Sequence, residues 1–137
     1  MNDTTRLKCL RIALVLVGII FIFGLYLLMI AWPSIWPSGW TWHTGHSDYP
    51  LTIVGVYATL GVFLLLAARS PLHHLSLIWF TVWSSVVHAS IMAFQSFEMP
   101  ENHGHLVGDV PALFIIAAVL GFLTPRRDVL RRRSATA

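Results

Sequence analysis

The sequence predicts an all-α fold: an integral membrane four-helix bundle with both termini in the cytoplasm. Three observations carry that expectation. Of 137 residues, 56% are hydrophobic and 11% are charged, whereas a soluble domain carries about 25% charged residues. The apolar residues gather into four runs, each near the roughly 20 residues a helix needs to cross about 30 Å of hydrocarbon. The basic residues stand only at the ends of those runs, so the formal charge of +3 is a set of flanks rather than a stripe.

The first run spans Ile12 to Trp32 behind a basic flank of Arg6, Lys8 and Arg11. It exceeds the 7–15 residues of a signal-peptide core and ends without an A-x-A pattern, so it reads as a retained anchor. The second run spans about Leu51 to Ala68. The third starts near Pro71, where Ser70-Pro71 offers an N-cap and a first-turn proline. It runs to about Phe97 and closes at Glu98-Met99-Pro100, because the residue before a proline avoids helical geometry. The fourth lies between about His105 and Leu123 and closes in the same way at Thr124-Pro125. A basic tail, residues 124–137, follows. None of these runs alternates with the two-residue period of a membrane β-strand. One membrane domain therefore covers residues 1–137.

Charge placement predicts the orientation. The amino terminus, the turn holding Arg69 and the tail holding Arg126, Arg127, Arg131, Arg132 and Arg133 carry every Lys and Arg. The connections at 33–49 and 98–104 carry none. The positive-inside rule then puts both termini in the cytoplasm. This distribution does not fit nucleic-acid binding. The tail suits anionic lipids at about 1 kcal/mol per basic residue. Trp36, Trp40, Trp42 and Tyr49 in the first outer connection read as an interfacial aromatic belt. The single cysteine, Cys9, excludes an intramolecular disulfide and reads as an incidental thiol. Gly18 in the first span, and Thr52, Gly55 and Thr59 at helical spacing in the second, read as small residues for close helix packing.

The stretch from His88 to Leu113 is too polar for its setting. On a helix, Thr81, Ser84, Ser85, His88, Met92 and Gln95 share one sector, opposite Trp79 and Trp83. Lipid penalises such a stripe, so it should face the bundle. The hydroxyls read as groups that bond back to their own helix. His88 and Gln95 read either as packing contacts or as ligand contacts, with His105 and Asp109 at the mouth of a pocket that opens outward between the third and fourth spans. The i, i+4 spacing of His105 and Asp109 puts them on one face. Pro111 leaves two arrangements open: a helix that starts late at Asp109, after a re-entrant HGHLVG segment, or a helix from His105 kinked at Pro111.

The candidate ligand-binding set is His88, Met92, Gln95, His105 and Asp109. A weaker metal set comprises His43, His46, Glu98, His103 and His105, with Asp48 and Glu101 nearby. It is a divalent-metal candidate by residue type, but H-E-x-x-H and paired cysteines are missing. Haem needs two matched axial histidines, and only His88 is deep, since His73 and His74 sit at the opposite face. A quinone-like ring fits an imidazole, an amide and aromatic walls better. Phosphate-binding and nucleophile-elbow motifs are missing, as is a lysine within a span.

The third-span H-x-x-x-M-x-x-Q (His88, Met92, Gln95) and the following G-H-L-x-G-D-V-P-A-L (Gly104 to Leu113) resemble a family of small, uncharacterised four-span bacterial membrane proteins. In size and topology alone the chain is also similar to DoxX-like proteins, a group tied to redox or quinone-linked partners. These resemblances imply four spans and no settled activity. Three functional expectations stand: a small-ligand or redox-accessory protein; a non-catalytic accessory subunit paired with another membrane protein or with its own copies; or a small transporter, against which the lack of a deep carboxylate weighs. A binding role is favoured over an enzymatic one.

Overall fold

The computed structural model describes residues 2–31, 34 and 49–125. Most of the 33–49 connection, with His43, His46 and three of its aromatic residues, lies outside the described residues, as does the tail from Arg126. The described residues form an all-helical bundle in which four helices are long and apolar enough to cross a membrane.

Helix α1 occupies Asp3–Ile19 and continues as π-helical turns at Ile20–Gly24 and Leu27–Ala31, so the first span begins in its basic flank and reaches Ala31 without a break. Helix α2 occupies Tyr49–Arg69. Pro71–His73 is a separate 3₁₀ turn with Pro71 at its start, and α3 begins only at Leu75 and ends at Glu98. Met99 is extended, as a residue before proline must be. The chain then forms a 3₁₀ helix over Pro100–Leu106 that runs back along α3. Helix α4 covers Asp109–Leu123, and Thr124 before Pro125 is again extended.

Each helix buries one seam. On α3 it is Ile78, Val82, Ser85, Ala89, Met92 and Ser96, and on α4 it is Val110, Leu113, Ala117, Leu120 and Thr124. On α1 it is Leu10, Leu14, Val17 and Phe21. The alternating steps of three and four give a 3.5-residue repeat, the spacing that keeps a seam facing its neighbours in a left-handed bundle. The opposite faces carry exposed Phe23, Phe80, Trp83, Phe94, Phe97 and Phe122. So continuous an apolar exterior suits hydrocarbon rather than water.

Two contacts lock the bundle. The first is a crossing of α1 and α2 at Gly18 and Gly61. A Cβ on Gly61 would stand 2.6 Å from the Gly18 carbonyl oxygen, and one on Gly18 would stand 2.9 Å from the Gly61 oxygen. The stripe of Thr52, Gly55 and Thr59 does not make this contact. All three are exposed, and among the described residues nothing lies within 4 Å of a Cβ built on Gly55. The spacing identified a face of α2, but the neighbouring helix packs on the other one. The second contact is the Arg6 side chain, which donates to the carbonyls of Phe122 at 2.6 Å, Thr124 at 3.0 Å and Leu123 at 3.1 Å. These are carbonyls that the end of α4 leaves without partners, and the cation also complements the negative end of the helix. Arg6 is thus a structural fastener as well as a flanking charge.

Candidate functional site

Helix lengths predict which residues share a depth. At 1.5 Å per residue, His88 lies about 20 Å along α3 from Leu75, and Asp109 lies about 21 Å from the Leu123 end of α4. Tyr57 lies about 18 Å from the Arg69 end of α2. Phe21 stands about 22 Å beyond Arg6, whose guanidinium marks the Leu123 level. Each of the four helices therefore sends one of these side chains to a common layer near mid-bundle.

The side chains meet there. The rings of Phe21 and Tyr57 pack edge to face with centroids 4.8 Å apart, and those of Tyr57 and His88 do so at 5.8 Å. Asp109 is the charged neighbour of both Tyr57 and His88. Its Oδ2 is hydrogen-bonded to His105 Nδ1 at 2.9 Å, the imidazole N–H donating when the carboxylate is ionised. Its Oδ1 is buried without a well-formed hydrogen bond among the described residues, although the backbone N–H groups of Val110 and of Asp109 itself are directed at the carboxylate as donors.

These groups border a cavity of about 90 Å³. Tyr57, His88 and Asp109 are its polar lining. The rest of the wall is apolar and includes Ile20, Leu25 and Met29 of α1, Ile53 of α2, Met92 of α3, and Ala112, Leu113 and Ile116 of α4. The cavity sits where two apolar clusters adjoin, one running through Leu10, Leu64 and Leu120, the other through Ala89, Met92 and Val110. It lies among all four helices rather than between the third and fourth alone. The α1 wall is the π-helical part, Ile20–Gly24 and beyond. A π turn widens the helix, and such turns recur at functional sites.

The five ligand candidates separate here. His88, Met92 and Asp109 line the cavity. His105 does not line it; it is fully buried behind Asp109 and holds the carboxylate. Gln95 is exposed and stands apart from the cavity. The buried α3 seam passes from Met92 to Ser96, and Gln95 stands about 10 Å further along α3 than His88. Asp109 is the first helical residue of α4, with Gly108 at the cap position and no side-chain capping bond. Pro111 sits in the first turn, where a proline costs no hydrogen bond. Its placement settles the choice for a late helix over a kinked one. The hydroxyls of Thr81 and Ser84 bond back to the carbonyls of Leu77 and Thr81.

Among the described residues, no three His, Cys, Asp or Glu side chains gather in a way that could hold a metal ion. Of the metal candidates, Glu98 and His103 are exposed and His105 is turned inward to Asp109, while His43 and His46 lie outside the described residues. Tyr57 is the site residue that spacing within one helix does not reveal. Its signal is chemical: a phenol in a long aliphatic run needs a partner for its hydroxyl.

A family profile described as a family of unknown function, DUF6632, matches residues 4–136. The chain belongs to the DUF6632 family. The match covers all four helices and the polar layer of this DUF6632 protein, so the fold and the candidate site fall within the family's shared region. No curated protein and no solved structure matches the chain.

Proposed function

We propose that this DUF6632 protein is a non-catalytic binding protein of the bacterial inner membrane. Both termini are cytoplasmic, and the cavity in the outer half of the bundle receives a small, mostly apolar molecule of quinone-like character. The protein then acts as a ligand carrier or redox accessory. One observation carries this reading: an otherwise apolar cavity holds the hydrogen-bonding groups Tyr57, His88 and Asp109, each supplied by a different helix at one depth. Apolar walls with a few convergent polar groups are the usual form of a small-molecule site. Ionisable groups at such depth are costly and tend to be retained for function. The orientation rests on the basic flanks. Arg6 held at the end of α4 agrees with two termini on one side.

The test is native mass spectrometry of protein released gently from its own membrane, wild type beside His88→Leu. The reading expects a defined adduct on the wild type that His88→Leu loses. Folded protein with identical, adduct-free spectra would overturn it. One observation favours a second reading, an accessory subunit: Gly55 and Thr59 are small and exposed on α2, which suits a close helix partner. Co-purification of a defined partner lost on Gly55→Leu would support that reading.

A further inference from the structure

Resting on the ligand-binding reading above, we propose that the cavity takes the single-ring head of a membrane-dissolved phenolic donor, of the hydroquinone type. Its tail leaves into the bilayer between α1 and α4. Three independent features point there.

The first is size. A cavity of about 150 Å³ accommodates benzene. The space here is about 90 Å³ and open on one side, so it takes at most part of one ring, and the remainder of any ligand must lie outside.

The second is where the wall ends. Ile20 lines the cavity and is nonetheless 50% exposed. Helix α4 packs on the α-helical part of α1, whereas the π-helical part packs on α2. Ile20 is the first π-helical residue, so it stands where α1 parts from α4, with Ile116 and Ala112 across the gap. Everything at that opening is apolar. A molecule already in hydrocarbon passes it without desolvation, whereas a water-soluble solute does not.

The third is the hydrogen-bond inventory. Asp109 gives Oδ2 to His105, and among the described residues its buried Oδ1 makes no well-formed hydrogen bond beyond the nearby backbone amides of Val110 and Asp109. A carboxylate oxygen accepts and does not donate, so the fitting ligand brings a hydroxyl. An aromatic ring is favoured over a saturated one by Met29 and Met92 in the wall, since thioether sulfur packs well on ring edges, and by the edge-to-face habit of Phe21 and Tyr57.

The experiment uses the full chain in lipid nanodiscs and three probes: decylhydroquinone, its di-O-methyl ether, and hydroquinone without a tail. Binding is measured for the wild type, Asp109→Asn and Ile20→Trp, each checked for helical content. Ile20→Trp fills the opening from the exposed side and leaves the polar layer intact. The proposal expects decylhydroquinone to bind the wild type about tenfold or more tighter than the diether, the cost of leaving a buried acceptor unpaired. Asp109→Asn, whose amide both donates and accepts, should erase that preference. Ile20→Trp should weaken decylhydroquinone about tenfold and spare hydroquinone. Equal affinity for the diether overturns the donor requirement, and loss of both hydroquinones or of neither in Ile20→Trp overturns the lateral route. If no probe binds while the native His88-dependent adduct persists, this ligand class is wrong and the ligand-binding reading stands. If neither is seen, both fall.

Discussion

Two glycines on one helix should respond to the same substitution with opposite signs. At Gly61, an added methyl would lie 2.6 Å from the Gly18 carbonyl oxygen, 2.8 Å from Ile22 Cγ1 and 3.2 Å from Phe21 Cβ. Comfortable contact is about 3.5 Å, so the α1–α2 crossing must open by close to 1 Å. The nearest atom is backbone, so no rotamer change relieves it. Overpacking of this kind costs roughly 1–3 kcal/mol. At Gly55 the methyl meets no described residue within 4 Å, and alanine is the better helix former by about 1 kcal/mol. Gly61→Ala and Gly55→Ala should therefore differ by about 2–4 kcal/mol, with the first destabilised and the second neutral or stabilised. Reversible unfolding in mixed detergent, followed by far-UV circular dichroism, reads this directly. Equal effects at the two positions would refute the crossing.

The remaining predictions concern the fastener and the polar layer. Arg6→Ala should lower stability by roughly 1–2 kcal/mol, because three carbonyls lose a charged donor at a partly exposed site. Arg6→Lys should recover only part of this in the same unfolding assay, since an ammonium lacks the planar fork. His105→Leu should cost about 3 kcal/mol by leaving the Asp109 carboxylate buried without its imidazole. Adding Asp109→Leu should restore most of that loss, and a double-mutant cycle measures the coupling. Gln95→Leu should shift stability by less than about 0.5 kcal/mol and leave any native adduct intact, in contrast to His88→Leu.

Much of the fold was legible because lipid restricts the options. Apolar runs of spanning length leave helices as the economical solution, and the prolines at 100 and 125 mark two helix ends within a residue. His88, Met92 and Asp109 stood out because polarity inside such a run is costly. The errors share a physical origin. Gln95 is seven residues from His88 and nearly in line with it, but it stands about 10 Å further along α3, where it is exposed and away from the cavity. Thr52, Gly55 and Thr59 have the spacing of a packing face, yet small residues do not reveal what lies against them; Gly61, on another face, meets α1. Tyr57 was missed because its relation to His88 depends on the vertical registry of two helices. That registry is fixed by turn lengths and by contacts such as Arg6 with the end of α4. His105 was read as sharing a face with Asp109 at the mouth of the pocket, but the 3₁₀ segment buries its imidazole behind the carboxylate instead.

The Arg6 fastener also bears on how the chain is made. Its partners lie 116 to 118 positions away in sequence, so the residue emerges from the ribosome long before the carbonyls it will hold. The Gly18–Gly61 crossing can form early, since both glycines belong to the first two helices. The guanidinium must wait for α4. Because domains are completed from the amino terminus onward during synthesis, closing this clasp is among the last events of assembly. A chain halted before Phe122 would carry a finished first hairpin and an open ring, with Arg6 still facing water.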